Sequence, residues 1–167
     1  TRAQTWNATI ERQFGTNWQA SASYLGSYLD RLWGGMHQNP GVFMGLGACT
    51  LNGVNYPVCT TDANLNQRRV LYQMNPALGA GLAYVNRIAD VGTQTYRGLR
   101  LSMRRAAANG VSLSGNYTLS HCEADTEVGG SWLQFEEGYI KPDDPSFDRG
   151  NCGNDRRHIG NLSVGAQ

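Results

Sequence analysis

Two stretches of alternating apolar and polar residues, joined by a tight turn, constrain the fold of this chain more than any other feature. Between Tyr96 and Cys122, apolar side chains alternate with Arg, Ser, Thr and Asn on both sides of the turn. Period-two alternation is typical of a half-buried antiparallel hairpin. The dipeptide Asn109-Gly110 supplies residues that accept the positive φ of a tight turn. The stretch therefore predicts a β-hairpin, and helical spacing does not fit it.

The same alternation recurs at both ends of the chain and predicts an all-β, antiparallel fold without a domain boundary. A first hairpin turns at residues 15–17, and a single alternating segment closes the sequence. The predicted strands lie at residues 4–14, 18–28, 94–106, 111–122 and 158–167. Two long connections separate them, at residues 29–92 and 123–156. Within the first connection, Leu82 to Ile88 predict one additional short strand.

The composition excludes several classes of protein. The chain has 167 residues, 21 of them Gly, and a formal net charge of +1. A charge so close to zero lacks the excess of positive charge that is typical of proteins that bind nucleic acid. The sequence contains no apolar run of about 18 residues, which a transmembrane helix needs, and no signal peptide opens it. Since the sequence begins with Thr1, we expect an internal start.

The unequal lengths of the connections favour a membrane barrel. In an antiparallel sheet, the two short turns fall at one end and the two long connections at the other. Outer-membrane β-barrels have this arrangement, with short periplasmic turns, long extracellular loops and apolar side chains facing lipid. The aromatic residues expected in the interfacial girdles are Trp6, Phe14, Trp18, Tyr24, Tyr28, Tyr96 and Tyr117. A soluble β-sandwich, whose strands alternate equally well, is the alternative.

Four cysteines indicate disulfides and an oxidising compartment. Three pairings are open to them. We prefer Cys49–Cys59 with Cys122–Cys152, because each pair lies within one predicted loop region. The alternative, which no Cys-x-x-Cys spacing supports, is a metal site formed by Cys122, Cys152, His121 and His158.

Short motifs are spread over nearly the whole chain. They are the run from Trp6 to Phe14, residues 22–27, Asn66-Gln67-Arg68-Arg69, Tyr96-Arg97-Gly98-Leu99, residues 116–122, residues 148–152 and Asp155-Arg156-Arg157-His158. Together they resemble the barrel region of TonB-dependent outer-membrane receptors, in particular the Oar-like type with a carboxypeptidase-regulatory-like N-terminal domain. The resemblance implies an outer-membrane transporter that binds and imports a ligand, energised from the inner membrane through TonB.

The resemblance is to the barrel alone, because no plug, TonB-contacting box or closing strand of such receptors has a match here. The five predicted strands are far fewer than the roughly 22 that barrels of this type need. Open strand edges cannot sit in lipid, since each unpaired N–H or C=O group there costs several kcal/mol. We therefore expect a fragment of a larger receptor. Its expected partners are the rest of the barrel and plug, TonB indirectly, outer-membrane lipid and a small ligand, and no cofactor is expected.

The second long connection contains the candidate binding residues. Arg156 and Arg157 lie in a dense cluster of charges, which predicts either salt bridges that order the loop or a site for an anionic ligand. Trp132 belongs to a group of loop aromatic residues suited to capturing a saccharide or a peptide, although packing within the loops is the commoner role of such residues. The other members are Trp33, Phe43, Tyr56, Phe135 and Tyr139. Calcium prefers hard oxygen ligands, and a candidate calcium site is the cluster of carboxylates at Asp143, Asp144 and Asp148.

Catalysis is not predicted. The adjacent acids Glu136-Glu137 and Asp143-Asp144 stand in a Gly- and Pro-rich loop, where solvated surface is the common role. Ser120-His121-Cys122 lacks the Gly-x-Ser-x-Gly elbow of a serine nucleophile. Arg100 and Arg104 share a face of the central hairpin and are expected to face a polar lumen.

The sequence therefore predicts part of a TonB-dependent transporter in the bacterial outer membrane, with its long loops extracellular, and not an enzyme. The alternative is a secreted, disulfide-stapled β-domain that binds or hydrolyses a glycan or an ester.

Overall fold

The computed structural model describes residues 1–108, 110–126 and 138–166. Its elements in chain order are β1 (Arg2–Phe14), β2 (Trp18–His37), β3 (Cys49–Leu51), β4 (Val54–Tyr56), a 3-10 helix (Asn66–Arg68), α1 (Val70–Met74), α2 (Pro76–Gly79), β5 (Asn86–Ala108), β6 (Val111–Ala124), a second 3-10 helix (Pro145–Asp148), β7 (Gly150–Asn151) and β8 (His158–Ala166). None of the described helices has the length and apolar character needed to cross a membrane. The predicted all-β, antiparallel fold class is confirmed.

One sheet of six strands holds most of the chain. Its order is β1-β2-β5-β6, and β7 and β8 both pair with the far edge of β6. The hairpin β1–β2 is paired antiparallel from Arg2 opposite Asp30 down to Phe14 opposite Trp18. Over the described residues the sheet does not close, because β1 and β8 lie at its two ends without joining.

The two predicted short turns lie at the same end of this sheet. Gly15 and Gly110 have φ values of 60° and 76°, and residues with a Cβ atom rarely adopt such values. The Ala106 amide, near the end of β5, donates a 2.8 Å hydrogen bond to the Asn17 carbonyl in the first turn. The long connections therefore join the opposite ends of the strands.

Two strands are longer than the alternation predicts. β2 continues to His37 instead of ending at residue 28, and β5 begins at Asn86 instead of residue 94. The side-chain alternation weakens after Tyr28, but backbone pairing continues and needs no particular side chain. The expected short strand at Leu82 to Ile88 is present only from Asn86 onward, as the start of β5.

The described chain divides into two compact units. The sheet unit contains the described residues of 1–33, 90–130 and 143–167, and the loop unit those of 34–89 and 131–142. In the loop unit, Asn52 and Gly53 join β3 to β4 with φ values of 48° and 80°, the positive pair of a type I′ hairpin turn.

The two faces of the sheet unit differ in chemistry. Side chains of directly paired residues share a face, so the registers of β1–β2 and of β5–β6–β8 assign each residue to one side. Polar side chains from both groups of strands line one groove, so their polar faces coincide. We call the polar face inward and the apolar face outward. The outward face carries Trp6, Ala8, Ile10, Phe14, Trp18, Ala20, Ala22, Tyr24, Leu99, Leu101, Met103, Leu113, Tyr117, Leu119, Leu162 and Val164. The inward face carries Thr9, Glu11, Gln19, Ser21, Ser23, Arg100, Ser102, Arg104, Ser114, Asn116, Asn161 and Ser163. Every residue of β1 is exposed, as in a single-layered sheet.

Candidate functional site

A polar groove lies on the inward face of the sheet unit. It has a volume of about 340 Å³ and draws on β1, β2, β5, β6 and β8. Its polar side chains come from Glu11, Gln19, Ser21, Arg100, Ser102, Arg104, Ser114, Asn116, Asn161 and Ser163. The structure thus places Arg100 and Arg104 on the face that the alternation predicts, beside the groove.

Hydrogen bonds between neighbouring strands fix part of this surface. The Gln19 Nε2 atom donates to Glu11 Oε1 at 2.6 Å, and Asn161 Nδ2 donates to Asn116 Oδ1 at 3.1 Å. Arg100 and Arg104 bring two cations to a surface whose other polar groups are hydroxyls, amides and the carboxylate of Glu11. The groove can therefore hold a polar or anionic group by charge-assisted hydrogen bonds.

The disulfide Cys122–Cys152 ties the segment before β8 to the end of β6. Its Cα atoms are 5.4 Å apart, and the Cys152 amide donates to the Cys122 carbonyl at 3.0 Å. Asp155 strengthens the junction, because its Oδ1 accepts from the Cys122 amide at 3.0 Å and its Oδ2 lies 3.3 Å from His121 Nδ1. With both sulfurs in a disulfide, Cys122 and Cys152 do not form the metal site considered as an alternative.

Arg149 adds a second link to the end of β6 and to β5. Its guanidinium lies 3.6 Å from Glu123 Oε2 and donates to the hydroxyl groups of Thr93 and Thr95 at 3.4 and 3.3 Å. Part of the predicted charge cluster thus joins the second connection to the sheet. The loop-ordering interpretation of these charges agrees with these contacts.

Of the three candidate binding residues, the structure describes the two arginines and not the tryptophan. Arg156 and Arg157 are both exposed, and the Arg157 Nε atom is 4.0 Å from Asp155 Oδ2. Arg156 contributes its carbonyl, which accepts from the Ser120 hydroxyl at 2.9 Å. Trp132 lies outside the described residues. Anion binding at Arg156 and Arg157 stays a prediction.

The calcium candidate gains no support from the described part of the chain. There, no group of three or more His, Cys, Asp or Glu side chains could hold a metal ion. Asp144 accepts instead from the Ser146 hydroxyl at 2.6 Å, at the start of the second 3-10 helix. Calcium at Asp143, Asp144 and Asp148 therefore stays a prediction.

The loop unit is built around a buried arginine that sequence reasoning did not identify. Arg68 is 4% exposed. Its Nε atom donates to Asn64 Oδ1 at 2.8 Å, and its two terminal nitrogens donate to the carbonyls of Val42 and Thr61 at 2.6 and 2.8 Å. Asn64, which is fully buried, also donates to the Cys59 carbonyl, next to the disulfide Cys49–Cys59. One side chain thus joins the segment of Val42 to the segment from Thr61 to Arg68.

Arg69 and Asn39 form a second buried group in the same unit. Arg69 donates to the Asn39 carbonyl at 2.8 Å, and its guanidinium lies 4.8 Å from the centre of the Tyr84 ring. The Asn39 side chain donates to the carbonyls of Leu82 and Ala83 and accepts from the Leu71 amide. The motif Asn66-Gln67-Arg68-Arg69 marks this group in the sequence, but spacing alone does not show that its arginines are buried.

His37 completes this group. Its Nδ1 atom accepts from the Asn39 amide at 3.1 Å, and its ring lies 4.9 Å from that of Tyr84. Burial, and secondarily the positive charge of Arg69, lower the pKa of His37 below its ordinary value of 6.5. The neutral imidazole is the form that can accept this hydrogen bond.

The loop unit also presents apolar side chains to solvent. Phe43 is 71% exposed and Ile140 is 80% exposed. Of the loop aromatic residues suited to ligand capture, Phe43 is therefore available, whereas Tyr139 is buried beside Gly34. Trp132 and Phe135 lie outside the described residues.

Comparison with known proteins places the whole chain in one family. The model of the outer membrane beta barrel domain matches residues 1–167. No curated protein and no solved structure matches the chain significantly. An apolar outward face, a polar inward face and short turns at one end are the features of such barrels. The chain belongs to the outer membrane beta barrel domain family and is an outer-membrane protein.

Proposed function

We propose that this chain is a section of the barrel wall and loops of a TonB-dependent transporter that binds a ligand at the cell surface and imports it. The observation that carries the proposal is a single-layered sheet with a cationic polar groove on one face and an apolar surface on the other. Family membership indicates a non-enzymatic role in the outer membrane and favours this alternative over a secreted hydrolase or lectin.

The outward face has the dimensions of a membrane wall. Phe14 and Trp18 are paired next to the first short turn, and Trp6 lies eight residues farther along β1. At about 3.3 Å per residue these two aromatic levels are about 26 Å apart along the strand. Strands of outer-membrane barrels tilt by about 35–45°, so this distance projects to about 18–21 Å along the membrane normal, within an apolar band that is about 25 Å tall and has aromatic girdles at both borders.

The open edges support a larger barrel. β1 and β8 each offer unpaired backbone groups, which lipid cannot satisfy. Further strands of the same polypeptide would pair with these edges and close the wall. In a wide barrel the inward groove, with Arg100 and Arg104, then faces the lumen and the plug that fills it.

The long connections supply the ligand-binding side in this proposal. They join the strand ends remote from the short turns, which is the extracellular side in barrels of this kind. The buried contacts of Arg68 and Arg69 hold the loop unit in one shape, and a preorganised loop loses less entropy when it captures a ligand. Arg156, Arg157 and Trp132 are the proposed contacts for an anionic or saccharide ligand.

The first experiment is the intact mass of the natural polypeptide, extracted from membranes with detergent and separately in plain buffer. We expect a species several times heavier than 18.3 kDa in the detergent extract alone. A soluble species of 18.3 kDa would contradict the proposal of a larger barrel.

The second experiment tests transport. Cells that produce the natural polypeptide are given fluorescent oligosaccharides and fluorescent acidic peptides, with and without functional TonB. We expect uptake of one probe class that requires TonB and that falls in an Arg156→Gln/Arg157→Gln variant. The exposed Arg87, changed to Gln, is the matched control and leaves uptake unaltered. Uptake that is equal with and without TonB would rule out energised import.

A further inference from the structure

We propose that the outward face beside the first short turn is a binding site for an anionic phospholipid, with Arg12 and Arg105 at the phosphate and a neighbouring apolar groove for one acyl chain. The proposal needs only that this face meets lipid, which follows from membership in the outer-membrane family. It does not depend on TonB or on an imported ligand.

Two arginines stand among aromatic residues on this face. The Arg12 guanidinium lies 5.5 Å from the centre of the Phe14 ring, and the Arg105 guanidinium lies 5.7 Å from the Trp18 ring. Phe14 and Trp18 are directly paired across the turn, so the two cation–π contacts belong to one cluster. The hydrogen bond from Ala106 to Asn17 brings the end of β5 against the same turn.

An apolar groove lies beside these cations. Its volume is about 320 Å³, and its lining is almost purely apolar. The residues that form it are Phe14, Trp18, Gln19, Ala20 and Met103. Ala20 is small and is flanked by larger side chains, and Arg12 is its direct partner on β1. A cation therefore stands next to the apolar groove, as a phospholipid with a charged head and a long chain requires.

The charges on this face are not neutralised by the described protein. Arg2 and Arg149, by contrast, contact the carboxylates of Asp30 and Glu123. Within the described residues, Arg12 and Arg105 contact aromatic rings and form no ion pair. The one acidic residue near them on β1, Glu11, points to the inward face and accepts from Gln19.

Physical costs restrict what can neutralise them. An arginine on the lipid face of a barrel costs about 2–4 kcal/mol at the midplane but close to zero near the interface. Both arginines lie within a few residues of the short turns, so their guanidinium groups reach the level of the lipid head groups. Guanidinium binds phosphate by two parallel hydrogen bonds. The occupant that satisfies the charges and the groove together is an anionic phospholipid.

The test measures lipid retained by the natural polypeptide in native mass spectrometry. The protein is purified in detergent and equilibrated with equal amounts of dioleoylphosphatidylglycerol and dioleoylphosphatidylcholine. Two arginines near an anionic head group predict a preference for phosphatidylglycerol of about 30-fold. The Arg12→Gln/Arg105→Gln variant is expected to lose most of this preference and retain less than about a tenth of it.

The matched control is Arg100→Gln/Arg104→Gln, which removes the same charge from the opposite face of the same sheet. Folding of each variant is checked by its heat-dependent migration in gels. Loss of the preference in the outward variant alone supports the site. Equal retention of both lipids by the unaltered protein, or equal loss in both double variants, would overturn it.

Discussion

The sheet unit leaves both of its edge strands fully exposed, whereas the loop unit buries two asparagines and two arginines. In the sheet unit, every residue of β1 is accessible, and order comes from thirteen paired residues between β1 and β2. In the loop unit, Asn39, Asn64, Arg68 and Arg69 are at most 4% exposed. Asn39, Arg68 and Arg69 bind groups at least 26 residues away in the chain, and Asn64 binds Arg68 and the Cys59 carbonyl.

The difference follows from the solvent that each unit meets. Lipid accepts the apolar outward face of a barrel, so the sheet needs backbone pairing but no apolar core of its own. The loop unit has short elements and few buried apolar residues, of which Leu51, Cys59 and Tyr139 are the described examples. A buried polar network with satisfied donors then replaces the missing apolar core. Substitutions should therefore affect one unit without the other.

The largest expected effect is that of Arg68→Met. The change removes three hydrogen bonds, which run from the buried Arg68 guanidinium to Asn64 Oδ1 and to the carbonyls of Val42 and Thr61. A hydrogen bond to a charged group contributes about 1.5–3 kcal/mol, so we expect a loss of about 3–5 kcal/mol in the loop unit. Hydrogen exchange of loop amides in the detergent-solubilised polypeptide measures the loss.

The exposed Arg87, changed to Met, is the control for Arg68, and its effect should be small. The heat-dependent gel migration of the barrel should be unaltered in both variants. Parallel destabilisation of the sheet by Arg68→Met would show that the two units are not independent.

Removing the disulfides one at a time is expected to have the next largest effect. Both cysteines of Cys122–Cys152 lie in the sheet unit and are 30 residues apart, and both cysteines of Cys49–Cys59 lie in the loop unit and are 10 residues apart. The chain-entropy relation gives about 3.5 kcal/mol for the first and about 2.7 kcal/mol for the second. Paired Cys→Ala variants, followed by hydrogen exchange, should lose protection each in its own unit. Loss in the other unit would contradict the comparison.

A smaller effect, confined to the sheet unit, is expected from Gly26→Ala. A Cβ at position 26 would overlap the indole ring of Trp6, which lies against Gly26 on the outward face. Displacing a packed aromatic side chain costs about 1–3 kcal/mol. Urea unfolding of the barrel in detergent measures it.

Gly160→Ala is the matched control, since position 160 faces outward on β8 and a Cβ there would meet no other atom. Its effect should stay within about 0.5 kcal/mol. An equal loss in both variants would mean that the Trp6 contact does not stabilise the sheet.

The smallest effect is a pH dependence of the loop unit through His37. Its pKa is lowered in the folded state, so the unfolded state binds more protons as the pH falls. The loop unit should therefore have its full stability above pH 6.5 and lose it as the pH decreases from there. Loop hydrogen exchange between pH 7.5 and 5 measures the slope.

His37→Gln tests the cause. Gln keeps an acceptor for the Asn39 amide but does not titrate in this range, so the acid-dependent slope should disappear. An unchanged slope in this variant would assign the pH dependence to another group.

Sequence reasoning was most accurate where one rule decides the structure. The alternation and the glycines at positions 15 and 110 placed the short turns and the strands beside them. It was less accurate at the far ends of β2 and β5, where pairing continues after the alternation weakens. It did not identify the buried roles of Arg68 and Arg69, since an adjacent pair of arginines is usually exposed.

The order of residues alone determined which side chains of a strand share a face, because successive side chains point to opposite faces of the sheet. The opposite chemistry of the two faces follows from that rule. Which strands lie beside one another in the sheet was decided by the tertiary structure. Placing Arg12 and Arg105 in one aromatic cluster requires β5 to lie beside β2, although some ninety residues separate the two arginines in the chain. Burying Arg68 requires the carbonyls of Val42 and Thr61 to converge on it. Such convergence depends on long-range packing, which no local pattern encodes.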